Sequence, residues 1–182
     1  MEVLDTAIAD VKLLRPRAFA DERGWFAEVF KRDALVAAGL PHGYLQDNQS
    51  FSAEAGTLRG LHWQAEPRAQ AKLVRVVRGA IVDVAVDLRA GSASRGRHVM
   101  VELRADNRLQ VSIPKGFAHG FLTLEPDTEV LYKIDAPYAP AAERGIHYAD
   151  PDLAIAWPDP PGVRLVSAKD RALPMLRELP SC

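Results

Sequence analysis

Residues 72–88 read KLVRVVRGAIVDVAVDL, two runs with strand-like, period-two alternation that are separated by Gly79. Successive side chains on a strand point to opposite faces. In the second run, one face is therefore entirely aliphatic and the other carries two acids: Val82, Val84, Val86 and Leu88 against Asp83, Ala85 and Asp87. The stretch predicts two consecutive strands in the middle of the chain.

Similar alternation continues on the C-terminal side of this stretch. Strands are predicted at residues 98–103, 108–113, 116–124 and 128–135, with a glycine- and serine-rich loop at 89–96 and a turn at 104–107. Many short strands with polar turns are typical of an antiparallel sandwich or small barrel. The sequence therefore indicates an all-β fold.

Helix and coil are expected only at the margins of this fold. Residues 32–39 predict one short helix with a glycine stop, and a second is expected near residues 169–173. Eight of the thirteen prolines lie at or beyond Pro137. We therefore expect residues 1–182 to form a single domain whose proline-rich C-terminal coil lies over the barrel.

Composition excludes several classes of protein. With 182 residues, 48% of them hydrophobic, the chain is long enough for one buried core, and its formal charge of −1 disfavours nucleic-acid binding. The single cysteine, Cys182, leaves no intrachain disulfide. The N-terminal residues MEVLDTAIADVKLL lack the basic region of a signal peptide, and no apolar run could span a bilayer. We expect a cytoplasmic protein without a membrane partner.

Three segments contain the residue types of a proton-abstraction site. His62 ends a strand-like run in TLRGLHWQ (57–64), His119 follows a turn in IPKGFAHGF (113–121), and SAKDRALP (167–174) contains Lys169 and Asp170. Histidine is the side chain that most readily accepts a proton near neutral pH. A carboxylate can orient it, and a lysine can stabilise an anion.

A barrel with a strand histidine and a later P-x-G-x-x-H turn resembles the double-stranded β-helix, or jelly-roll barrel, of the cupins. Metal-binding cupins offer His-x-His and a downstream acid in the first motif, where this chain has His62-Trp63-Gln64 and Lys72. Two imidazoles beside an ammonium group bind a divalent metal poorly. We therefore expect no metal in the barrel.

Eight segments, in order and at compatible spacing, are similar to those of the dTDP-4-dehydrorhamnose 3,5-epimerase family. They are DERGWFAEVF from Asp21, QDN from Gln46, LRGLHWQ from Leu58, KLVRVVRGAIVDVAVDLR from Lys72, IPKGFAHGFLTL from Ile113, VLYK from Val130, YAPAAERG from Tyr138 and SAKD from Ser167. The resemblance covers nearly the whole chain.

This resemblance implies a reaction and roles for four residues. Enzymes of the family invert C3 and C5 of a dTDP-linked 4-keto-6-deoxyhexose, converting dTDP-4-keto-6-deoxy-D-glucose to dTDP-4-keto-L-rhamnose without a cofactor. Both carbons flank the C4 ketone, which makes their protons acidic. By resemblance, His62 is the base and Asp170 orients it. Lys72, together with the binding residue His119, stabilises the enolate oxygen, and Tyr132 returns a proton from the other face.

The resemblance also implies binding residues and a homodimer. The phosphate-contacting positions are Arg23, Arg59 and Lys169, the thymine-contacting aromatics are Phe26 and Tyr138, and the polar positions are Glu28, Gln46, Asp47, Asn48 and Glu143. A strand at residues 24–30 with large apolar side chains on both faces is unsuited to a solvated edge. We expect it to cross to a second copy of the chain and deliver Arg23 and Phe26 to the partner's site.

Several alternatives remain open at this stage. The protein could invert only C3 or only C5, could be a metal-dependent cupin such as a dioxygenase, or could bind sugars without catalysis. Asp170 could merely cap a helix, and Tyr132 could be an ordinary strand aromatic. Strict alternation also places Arg59 and His62 on opposite faces, so both can face one pocket only if Gly60 introduces a bulge. His42, His98 and His147 are expected to be surface or loop residues.

Overall fold

The computed structural model describes residues 1–159 and 164–179, and Cys182 lies outside this part of the chain. The strands are β1 (Glu2–Asp5), β2 (Lys12–Arg15), β3 (Ala18–Asp21), β4 (Gly24–Ala27), β5 (Gln46–Ser52), β6 (Thr57–Gln64), β7 (Lys72–Arg78), β8 (Ala80–Asp87), β9 (His98–Arg104), β10 (Gln110–Ile113), β11 (Phe117–Thr123), β12 (Thr128–Ile134), β13 (Glu143–Gly145) and β14 (Leu165–Val166). The α-helices are α1 (Arg32–Ala37) and α2 (Ala168–Arg171), and single 3₁₀ turns lie at Pro140–Ala142 and Leu176–Glu178.

The strands form two facing sheets and a separate hairpin, a cupin-type jelly-roll barrel. Both sheets have six strands. The first has the order β1-β2-β10-β7-β12-β5, and the second has the order β13-β6-β11-β8-β9, with β14 as its sixth strand, parallel to β6. The hairpin pairs β3 with β4. The prediction of an all-β barrel is therefore confirmed, and none of the described helices is long and apolar enough to cross a membrane.

Strand β8 is buried on both faces, which explains its nearly uninterrupted apolar sequence. On the inner face, Ile81 and Ala85 pack with residues such as Val74 and Phe121 in the core between the sheets. On the outer face, its valines pack against the C-terminal segment, whose contacts include Ile146, Leu153 and Trp157. Removing apolar surface from water stabilises a fold by about 25 cal/mol per Å². The C-terminal segment thus completes a second core.

The structure corrects two expectations about the extent of elements and adds strands that were not expected. The C-terminal segment is not merely coil, because β13 and β14 both pair with β6. The strand expected at residues 24–30 ends at Ala27, and Phe30 packs instead in a small cluster with Tyr44. Strands β1 and β2 were not predicted, since four residues are too few to show a clear alternation.

Candidate active site

A cleft of about 710 Å³ opens between the two sheets and is bounded on one side by α2. Its lining includes the predicted catalytic set, His62, Lys72, Tyr132 and Asp170, and three predicted binding residues, Arg59, His119 and Lys169. A second recess of about 350 Å³ shares His62, Lys72 and Tyr132 with this cleft. The two cavities therefore meet at these three side chains, which come from β6, β7 and β12.

A histidine–carboxylate pair lies in this cleft. His62 Nε2 and Asp170 Oδ1 are 2.7 Å apart, and the Asp170 side chain is only 6% exposed. Because the carboxylate oxygen accepts, Nε2 bears the hydrogen, which leaves Nδ1 of His62 as the proton-accepting nitrogen. Burial lowers the pKa of His62 below its usual value, and the charge and hydrogen bond of Asp170 oppose this shift. At neutral pH the ring is therefore unprotonated and available as a base.

Asp170 is positioned by α2 but does not cap it. Ser167 is the N-cap, and its Oγ accepts a hydrogen bond from Asp170 N at 3.0 Å. The Asp170 side chain instead reaches β6, where Oδ2 accepts from Gly60 N at 3.2 Å while Oδ1 binds His62. One carboxylate thus fixes both the imidazole and the backbone beside it, which rules out the capping alternative.

A bulge in β6 brings Arg59 and His62 to the same cleft, as the sequence required. Across β11, Arg59 pairs with Phe121 and His62 with His119, so three steps along β6 match two along β11. Gly60 makes the close approach feasible: a Cβ there would lie 2.6 Å from Gly120 Cα, and its φ of +120° is accessible mainly to glycine. The two side chains therefore line one cavity despite the odd spacing between them.

Lys72 and Tyr132 line the cleft opposite β6, and burial shifts the pKa of each. The Lys72 ammonium donates to the His62 carbonyl at 3.3 Å, and burial lowers its pKa to about 8, opposed by the charge of Asp83. Burial raises the pKa of Tyr132, and the nearby charge of Arg59 opposes this. Tyr132 therefore retains its proton at neutral pH, and Lys72 is a cation that loses its proton at a lower pH than an ordinary lysine.

His119 belongs to a second histidine–carboxylate pair that the sequence analysis did not recognise. His119 Nε2 and Asp83 Oδ2 are 2.7 Å apart, and both residues are buried. Asp83 occupies the inner face of β8 among aliphatic side chains. The sequence could have indicated this pair, because a buried carboxylate requires a partner and Asp83 lies in the middle of a buried apolar strand.

The second recess contains most of the predicted polar binding residues. Its lining includes Gln46, Asn48, Tyr138 and Glu143. Glu143 is held from two sides, by Lys169 Nζ at 2.8 Å and by the Tyr138 hydroxyl at 2.9 Å, and the bond from Lys169 is the largest cause of its lowered pKa.

The remaining predicted binding residues lie away from this chain's own cleft. Asp47 lies between Gln46 and Asn48, and its carboxylate binds Lys133 at 2.7 Å, so its side chain faces away from the recess. Arg23 forms an exposed ion pair with Asp21 in the β3–β4 hairpin. Phe26 is 67% exposed on that hairpin, and Glu28 approaches Lys31 just beyond it. None of these four residues is among the described residues that line the cleft or the recess.

The other histidines do not join the cleft. His42 contacts the carbonyl of Leu40, and His147 stacks on Tyr148. His98 lies in β9, not in a loop, and burial lowers its pKa. Within residues 1–159 and 164–179, no three His, Cys, Asp or Glu side chains are grouped as they would be around a metal ion.

Comparison with known proteins gives a consistent result. A family model described as dTDP-4-dehydrorhamnose 3,5-epimerase matches residues 5–178. The chain is 49% identical over 174 residues to the enzyme of that name from Sinorhizobium fredii, covering 96% of this chain and 89% of the relative. A crystal structure of a dTDP-6-deoxy-D-glucose-3,5-epimerase from Legionella pneumophila, in complex with dTDP-4-keto-L-rhamnose, superposes with a TM-score of 0.93 at 42% identity, covering 98% and 94% of the two chains.

A relative with a narrower activity is also similar. A 3'-monoepimerase from Streptomyces bikiniensis, in complex with dTDP-quinovose, has a TM-score of 0.88 at 35% identity and covers 96% of this chain and 87% of its own. Another structure of that enzyme has one histidine replaced by asparagine and one tyrosine by phenylalanine, separated along the chain as His62 and Tyr132 are here. On the family match and these full-length similarities, the chain belongs to the dTDP-4-dehydrorhamnose 3,5-epimerase family.

Proposed function

We propose that this protein epimerises dTDP-4-keto-6-deoxy-D-glucose at C3 and C5 to give dTDP-4-keto-L-rhamnose. The main supporting observation is the His62–Asp170 pair in a cleft that Lys72 and Tyr132 also line. A base, a cation and a proton donor are the groups needed to form and reprotonate an enolate beside a ketone.

His62 is the base of this scheme. Its Nδ1 takes the proton from C3 or C5, and the electron pair of the broken C–H bond moves into the enolate, placing negative charge on the C4 oxygen. Asp170 keeps the hydrogen on Nε2 and stabilises the imidazolium that forms. Because both protons flank the same carbonyl, one base in one cleft can serve both carbons.

Lys72 and Tyr132 complete the reaction. The Lys72 ammonium, with His119 beside it in the cleft, stabilises the enolate oxygen. Tyr132 then donates its hydroxyl proton to the opposite face of the carbon, which inverts the centre. His62 and Tyr132 exchange their protons with solvent before the next step, so the reaction needs no oxidant, reductant or net proton.

The cleft and the adjoining recess together suit the nucleotide. Arg59 and Lys169, which line the cleft, supply positive charge for the diphosphate, and arginine can bind phosphate oxygens in a bidentate fashion. Gln46, Asn48 and Glu143 offer polar contacts, and the exposed ring of Tyr138 offers a surface for the thymine. The sugar then occupies the cleft beside His62.

We further propose a homodimer in which the β3–β4 hairpin contributes to the partner's site. Phe19, Trp25 and Phe26 are all more than half exposed on this hairpin, a large apolar surface for a monomer. Arg23 and Phe26 do not line this chain's own cavities, which fits their delivery to another copy. Glu28 and Asp47 are proposed as further polar contacts to the substrate, as the resemblance implies.

Complementation tests this arrangement. Inactive His62→Ala and Arg23→Ala subunits, mixed under conditions of proven exchange, form heterodimers with one intact site each. Activity should recover to about a quarter of wild type for random two-fold assembly. No recovery would mean that Arg23 serves the site of its own chain.

The reaction requires no metal or other cofactor, because the protein groups above supply every charge and proton that it needs. We propose that residues 1–182 act as one domain in the cytoplasm, without nucleic-acid or membrane partners.

Inversion of a single carbon is the second candidate. The 3'-monoepimerase relative is similar over nearly the whole chain, and its histidine and tyrosine have the spacing of His62 and Tyr132. Retention of Tyr132 therefore does not separate the two activities.

NMR in deuterium oxide decides between these candidates. With dTDP-4-keto-6-deoxy-D-glucose as substrate, the proposal expects deuterium at both C3 and C5 and a product with both centres inverted. Exchange at one carbon only would establish the mono-epimerase. No exchange at either carbon would exclude both.

A further inference from the structure

The buried His119–Asp83 pair contains an incomplete set of hydrogen bonds. Asp83 is 1% exposed, and while Oδ2 accepts from His119 Nε2 at 2.7 Å, its Oδ1 is buried without a partner among the described residues. A buried carboxylate is costly unless nearby positive charge compensates it. The buried position of Asp83 on β8 therefore indicates a role beyond packing.

Lys72 is the neighbouring positive charge. It extends from β7 in the first sheet, whereas Asp83 and His119 belong to β8 and β11 in the second sheet. The charge of Asp83 raises the pKa of Lys72, opposing the larger lowering by burial. Lys72 shares the cleft with titratable or charged groups from every surrounding element. They are Arg59 and His62 from β6, His119 from β11, Tyr132 from β12, Arg164 just before β14, and Lys169, Asp170 and Arg171 from α2.

We propose that Asp83 is a positioning residue that fixes the orientation of His119 by accepting its Nε2 hydrogen, and that its carboxylate keeps the positive charge on Lys72, which faces the developing enolate. This inference rests on the proposed epimerase function. Because the carboxylate oxygen accepts, His119 Nε2 carries the hydrogen of this bond, which fixes how the imidazole ring is oriented in the cleft. Asp83 thereby acts on the enolate-stabilising groups, whereas Asp170 acts on the base.

Asp83→Asn tests the proposal because it keeps the shape and removes the charge. We expect kcat to fall by ~10²-fold, the loss typical of one oxyanion donor, with KM and the affinity for dTDP unchanged. Without the charge of Asp83, the pKa of Lys72 drops further, so the alkaline limb of the kcat profile moves to lower pH. A kcat within threefold of wild type, or a lower kcat with an unmoved limb, would overturn the proposal.

Asp87→Asn is the matched control. Asp87 lies on the same face of β8 and is equally buried, but Arg89, Ser92 and Ser94 bind it outside the cleft. We expect this variant to be less stable while its alkaline limb stays at the wild-type position. An equal shift of the limb in both variants would mean that Asp83 acts only through the structure of β8.

A measurement on the wild-type protein covers the case in which Asp83→Asn does not fold. In protein labelled with ¹⁵N-histidine, the His119 signals, assigned with His119→Gln, should show hydrogen on Nε2, the atom 2.7 Å from Asp83 Oδ2. An Nε2 that carries no hydrogen would overturn the proposal. Since the tautomer is read without substrate, failure of the epimerase assay in the wild type would count against the function alone.

Discussion

Asp170→Asn keeps the shape of the side chain and removes its charge, so this substitution tests the orienting role of Asp170. The amide can keep its oxygen toward Gly60 N, 3.2 Å away in the wild type, only if its NH₂ group faces His62 Nε2. His62 must then accept at Nε2 and place its hydrogen on Nδ1. The nitrogen that should take the substrate proton is blocked, and the lost charge lowers the pKa of His62 further.

The size of the effect follows from this tautomer change. An asparagine that imposes the wrong histidine tautomer in a catalytic triad costs ~10⁴-fold in kcat. That factor corresponds to about 5 kcal/mol of transition-state stabilisation. We expect a loss of this order at C3 and C5 alike, while dTDP affinity is unchanged because Asp170 is only 4% exposed behind the imidazole.

Deuterium incorporation at each carbon, followed by NMR, measures the loss. Asp152→Asn is the control for the chemical change, since Asp152 is exposed and does not line the cleft. Thermal unfolding should show that Asp170→Asn is folded. Exchange within tenfold of wild type in a folded Asp170→Asn protein would refute the orienting role.

Three further predictions concern pH, packing and metal. The pH profile of kcat/KM should fall on the acid side below pH 6.5, where His62 becomes protonated. It should also fall on the alkaline side near pH 8, where Lys72 loses its proton. A flat profile from pH 7 to about 9.5 would contradict the need for an ammonium group. Gly60→Ala should destabilise the fold by about 2–5 kcal/mol in urea unfolding, because a Cβ at residue 60 would lie 2.6 Å from Gly120 Cα. Gly43→Ala is the control and should be neutral, because a Cβ at residue 43 meets nothing within 4 Å. Exhaustive chelation should leave activity intact, and activity restored only by added metal would contradict the metal-free scheme.

Strand positions were predictable wherever local alternation decided them. The predicted strands at 72–78 and 80–88 match β7 and β8 to within one residue. The bulge at Gly60 was also predictable, because Arg59 and His62 can share a pocket only if the alternation breaks between them.

Long-range pairing was not predictable. Proline content favoured a coil beyond Pro137, yet β13 and β14 form there because they pair with the edge of β6 that β11 leaves free. Pairing of this kind depends on tertiary contacts and leaves little trace in two or three residues.

The candidate site shows the same limit. Alternation places Asp83 and Asp87 on one face of β8, but their partners differ completely. Asp83 binds His119 in the barrel, whereas Asp87 is enclosed by Arg89 and two serines at the strand end. Only the three-dimensional neighbours distinguish an acid at the site from an acid that closes a loop.

The central claim is that one base, His62, serves both carbons, and His62→Ala tests it most directly. The account predicts that deuterium exchange at C3 and at C5 both fall by at least ~10²–10⁴-fold, the typical contribution of a general base, while calorimetry shows dTDP binding as in the wild type. Exchange that persists at either carbon near the wild-type rate would mean that a different group removes that proton.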